Sequence, residues 1–67
     1  MSLYDYQWST TREMLGAPFY GLIMAAMRGA DTPNTEKLRA AWPEVWDELY
    51  ARYHAPGGLL DGEEAAA

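Results

Sequence analysis

The stretch APFYGLIMAAMRGA, residues 17–30, carries a single charged side chain, Arg28, and the way its flanks are covered decides the fold. Met14, Leu15, Phe19, Leu22, Ile23, Ala26 and Met27 keep one 3.6-residue phase, which predicts a helix. Pro18 suits its first turn and Gly29 its C′ position, so the helix spans about 18–29. On a wheel of about 100° per residue, Phe19, Tyr20, Leu22, Ile23, Met24, Ala26 and Met27 spread over roughly 200°, wider than one core-facing stripe requires. The remaining arc holds Gly21, Ala25, Arg28 and Gly29. Small residues four apart leave room for a second backbone to approach.

Downstream, Leu38, Ala41, Trp42, Val45, Trp46, Leu49, Tyr50 and Tyr53 hold helical register. Thr32 as cap and Pro33 at N1 open a helix over 33–41, and Pro43 starts another over 43–54. Pro56-Gly57-Gly58 stops it. Glu44, Asp47 and Glu48 lie early in that helix and Arg52 and His54 late, as the macrodipole favours. Glu48 also has Arg52 four residues on. One apolar face on residues 33–54 is enough to cover the Phe19, Leu22, Ile23 and Met27 side, leaving Tyr20 and Met24 in water.

Upstream, Ser2 with Asp5 and Thr10 with Glu13 both fit a capping box, the second better. Residues 1–9 therefore read as an aromatic arm carrying Tyr4, Tyr6 and Trp8, followed by a helix over 10–16 that Gly16 ends. The expected architecture is all-α. Three to four short helices (10–16, 18–29, 33–41, 43–54) form a helical hairpin or bundle within a domain spanning 10–58. An acidic, small-residue tail follows over 59–67. Leu59 and Leu60 are placed to fold back, whereas Asp61 onward, ending in Ala65-Ala66-Ala67, is expected to be mobile and dispensable for folding.

At 67 residues the chain is below the size where one core is comfortably stable, and it has no cysteine to staple it. A single histidine, His54, excludes a His-based metal cluster, and the Glu44, Asp47, Glu48 group reads as a solvated face. No nucleophile–base pair stands out, so the chain is expected to be non-catalytic and to need no cofactor or metal. The net charge of −5 is unevenly placed. Arg12 and Arg28 stand against Asp5, Glu13 and Asp31. Lys37, Arg39 and Arg52 stand against Glu36, Glu44, Asp47 and Glu48, while Asp61, Glu63 and Glu64 have no base. With no basic patch, nucleic-acid binding is not expected. No signal segment or membrane span is read, so the expected compartment is the cytoplasm.

Nine aromatic residues are many to hide inside so small a chain, and association is the usual remedy. The expected self-association surface is Tyr20, Gly21, Met24, Ala25, Arg28 and Gly29. A second candidate surface, for a ligand or partner protein, is Tyr4, Tyr6, Trp8, Arg12, Arg39 and Tyr50. The Trp42, Trp46, Tyr50, Tyr53 stripe could be a stacking platform but is read as core.

Residues 36–58, EKLRAAWPEVWDELYARYHAPGG, resemble a segment of short uncharacterised accessory proteins of tailed bacteriophages. That resemblance implies a phage accessory protein and carries no functional residues with it. The expected function is a homo-oligomeric interaction protein acting on a partner protein, plausibly of the host or its defences. The alternatives are an oligomer that sequesters a small nucleotide-like ligand between subunits, or a small virion or assembly component.

Overall fold

The computed structural model describes residues 1–63. The elements are α1 (Leu3–Ser9), α2 (Arg12–Leu15), α3 (Phe19–Gly29), α4 (Thr32–Ala41), α5 (Pro43–Tyr53) and a 3₁₀ turn (Pro56–Gly58). The all-α fold is as the periodicity indicates, with no strand among the described residues.

Three helices form the bundle. Its buried centre is Met27 from α3 with Val45 and Leu49 from α5, and Ile23, Met24, Leu38, Trp42 and Trp46 pack around it. Phe19 meets Trp42 near the start of α3 and α5, and Met27 sits against Leu49 toward their ends. The two helices therefore run the same way, with α4 returning between them. Asp31, rather than Thr32, caps α4: its carboxylate accepts from the Asn34 N–H at 3.0 Å, and Pro33 takes the second helical position. A carboxylate also suits the positive end of the helix better than a hydroxyl. Between α4 and α5, Trp42 leaves helical geometry (φ −133°, ψ 66°) because Pro43 disfavours the α region in its predecessor. Pro43 thus separates two helices rather than kinking one, and Pro18 likewise precedes α3 in extended geometry.

The N-terminal nine residues correct the sequence reading. Of these, Leu3–Ser9 form a helix where an arm ahead of the first helix was expected. Ser2 Oγ accepts from the Asp5 N–H at 3.2 Å and donates to the Asp5 carboxylate at 3.0 Å, so Ser2, rather than Thr10, is the residue that caps a helix. The Thr10 hydroxyl instead closes α1 by donating to the Gln7 carbonyl at 2.7 Å. With Thr10 so used, the helix expected over 10–16 shrinks to the single turn α2, whose cap Thr11 makes no side-chain bond. Gly29 is a second correction. It is the last residue of α3 with negative φ, and extended Ala30 ends the helix in its place.

After α5 the chain reverses at Gly57 (φ 63°) and Gly58 (φ 72°), backbone angles that L side chains rarely adopt. The reversal brings Leu59 and Leu60 back to half-buried positions. The same reversal lands Glu63 on Arg52, a contact of the tail that the sequence reading did not expect. Ala65 to Ala67 lie outside the described residues.

The shape is extended, at 43 × 29 × 16 Å with a radius of gyration of 14.0 Å. A compact chain of this length would have a radius near ~11 Å. α1 and α2 pack on each other, while the bundle's contacts run among α3, α4, α5 and the 3₁₀ turn.

Candidate functional site

Two surfaces stand out, one at each end of α3. The first is aromatic and lies on α1, α2 and the start of α3. Tyr4 and Trp8, four residues apart on one face of α1, meet edge to face at 6.5 Å. Leu3, Tyr4, Tyr6, Leu15, Phe19 and Tyr20 are each more than half exposed. A shallow depression between Met14, Leu15, Phe19 and Leu22 continues this surface onto α3.

The second surface is a cleft of about 380 Å³ between the end of α3 and α5. Met27 and Leu49 form its floor, Trp46, Tyr50, Tyr53 and His54 its walls, and Arg28 its rim. The imidazole of His54 lies 4.5 Å from the Tyr50 ring and 5.4 Å from the Tyr53 ring, measured between centroids. Behind the wall, the Arg39 guanidinium sits 5.6 Å from the centre of the Trp46 ring. The Trp42–Tyr53 stripe is therefore divided. Trp42 and Trp46 are half-buried against the core, but Tyr50 and Tyr53 are 60% and 69% exposed, contrary to the core reading.

The residues expected to mediate self-association do not share one face. Gly21, Ala25 and Gly29 are all exposed, and Tyr20 lies beside them, edge to face with Phe19 at 5.2 Å. Met24 is packed against the bundle core, because Ile23, Met24 and Met27 together face α4 and α5. Phe19, expected under cover, is 57% exposed. Gly21 makes room for its own chain: a Cβ there would meet Pro18 Cγ at 3.1 Å. At Gly29 the space is open. Arg28 turns to the cleft.

The second expected set also separates. Tyr4, Tyr6, Trp8 and Arg12 stay with α1 and α2, whereas Arg39 and Tyr50 belong to the bundle on either side of Trp46. Sequence reasoning missed Arg28, Tyr53 and His54 as a group with Tyr50. The available signal was that α5 ends in Tyr50, Tyr53 and His54, which becomes meaningful only once Arg28 at the end of α3 is brought beside them.

Arg52 holds the end of the bundle together. Its Nε donates to Glu48 at 3.1 Å, its Nη1 to the Gly58 carbonyl at 2.8 Å, and its two terminal nitrogens to the two Glu63 oxygens at 2.7 and 2.9 Å. The Leu60 N–H also donates to Glu63 at 2.9 Å. The guanidinium and that backbone bond hold the Glu63 carboxyl well below the usual carboxylate range, at about 2. The same two carboxylates hold Arg52 above the ordinary arginine value.

Among the described residues no three His, Cys, Asp or Glu converge as metal ligands would, and no helix is long and apolar enough to cross a membrane. Comparison with protein-family models, with curated proteins and with solved structures finds no match to this chain.

Proposed function

We propose that the chain is a small non-catalytic interaction protein that associates with itself through its N-terminal aromatic surface and acts by contact with a partner protein. One observation carries this reading. The chain exposes 5753 Å², whereas a compact monomer of 7.5 kDa would expose about 4,200 Å². The difference is close to twice the ~800 Å² that one partner contributes to a standard interface. The exposed aromatic residues of α1, α2 and early α3 supply the kind of side chains that interfaces concentrate at their centre.

The resemblance of residues 36–58 to phage accessory proteins makes a host or host-defence protein the partner to try first. Light scattering after size exclusion tests the self-association. Full-length chain at tens of micromolar should show a mass that is a multiple of the monomer's. Leu15→Glu combined with Phe19→Glu should return it to monomer while keeping the helical circular dichroism, since both side chains are exposed. An unchanged mass in that double variant would move the interface elsewhere.

A further inference from the structure

The cleft at the other end of α3 has a chemistry of its own. Its apolar floor and aromatic walls suit a flat ring, and its volume of about 380 Å³ lies within the ~300–1,000 Å³ of small-molecule sites. No carboxylate lines it, in a chain whose net charge is −5. The one full charge on its lining is Arg28. Among the described residues Arg28 makes no ion pair and no side-chain hydrogen bond, whereas Arg52 is fully engaged by Glu48 and Glu63 and Arg39 lies over Trp46. Arg28 is thus a guanidinium with its donors unspent, beside a row of π faces.

The helix ends oppose an anion here, so their size matters. The end of α5 is partly answered by the turn that follows it, where the His54 N–H donates to the Tyr50 carbonyl and the Ala55 N–H to the Arg52 carbonyl. Each terminus is equivalent to at most about half a negative charge and is weakened by solvent at these exposed ends, whereas Arg28 carries a full positive charge. Arg28 with its donors unspent favours an anion, and its guanidinium fork matches the two oxygens of a carboxylate.

We infer that this cleft binds a small planar aromatic carboxylate, its ring between Tyr50, Tyr53 and Trp46 and its carboxylate on Arg28. The inference is independent of self-association, which uses the opposite end of the molecule.

Three naphthalene compounds test it: 1-naphthoate, neutral 1-naphthylmethanol and cationic 1-naphthylmethylammonium, each titrated into ¹⁵N-labelled full-length protein and followed by NMR. Naphthoate should bind most tightly of the three, with shifts concentrated at Arg28, Tyr50, Tyr53 and His54. Arg28→Gln should weaken naphthoate about tenfold and leave naphthylmethanol unchanged. Tyr53→Ala should weaken both. Equal binding of all three compounds, no loss in Arg28→Gln, shifts centred on α1 and α2, or no binding at millimolar concentration would each overturn the assignment. Arg28 and Tyr53 are exposed, so both variants should fold.

Discussion

The bundle of α3, α4 and α5 and the pair α1 and α2 are built from similarly aromatic sequence, yet only the first has an inside. Met27, Val45 and Leu49 are at least 93% shielded, while no residue of α1 or α2 is buried. The α1–α2 pair relies on local devices. It has the Ser2–Asp5 cap, the Thr10 hydroxyl on Gln7, the Ser9 hydroxyl on the Tyr6 carbonyl, and the Tyr4–Trp8 contact. Such features contribute a few tenths to about 1 kcal/mol each, and isolated helices of fewer than ~12 residues are marginal in water. Periodicity alone makes a helix possible; a facing surface makes it persist. In α1 and α2 that surface is not found among the described residues, which is the physical case for a second copy.

The largest effect should come from the bundle. Leu49→Ala removes one of the three buried side chains and should cost about 2–4 kcal/mol, measured by urea unfolding. That is a large share of what a domain this small has. Leu3→Ala, in a protein made monomeric by Leu15→Glu and Phe19→Glu, should cost less than about 0.5 kcal/mol. Comparable losses at the two positions would erase the distinction between the regions.

Trp46→Ala falls between them. A fully buried Trp costs about 3–5 kcal/mol, but Trp46 is half-buried and shares its ring with Arg39, so about 2 kcal/mol is expected by the same unfolding curve. A loss as large as that of a core Trp would mean the cleft wall is closed in solution.

The smallest effect concerns the tail. Glu63→Gln should lower the thermal midpoint slightly near neutral pH, because its partner Arg52 is partly exposed and the pair is screened by solvent. The sign follows from a carboxyl that is lowered on folding, from an ordinary value near 4.5 to about 2. Its contribution is complete above pH 4.5 and disappears as the pH falls to about 2. The difference between the two proteins should therefore vanish over that window. A difference that persists at pH 2 would assign the effect to packing rather than to charge.

Much of the bundle was legible in the sequence. The apolar register, Pro43, and the Glu48–Arg52 spacing located α3 and α5 and half of the Arg52 cluster, since all three are local signals. The N-terminal helix was misread because Tyr4, Tyr6 and Trp8 alternate as in a strand while Tyr4, Trp8, Thr11 and Leu15 share a helical face. Capping boxes at Ser2 and at Thr10 also offered two helix starts. Met24 was misplaced for a different reason. A wheel gives the width of an apolar arc but not which part of it meets α5. The cleft and the Glu63 contact depend on residues brought together by parallel helices and by a glycine reversal, and neither leaves a periodic trace.

Amide hydrogen exchange of the full chain at two concentrations, one well below and one well above its association range, tests the central claim most directly. If α1 and α2 owe their persistence to a second copy, the amides of Tyr6 to Ser9 should exchange almost freely in the dilute sample and gain protection in the concentrated one. Those of Leu49 to Tyr53 should be protected in both. Protection of α1 equal to that of α5 in the dilute sample, unchanged by concentration, would contradict the account.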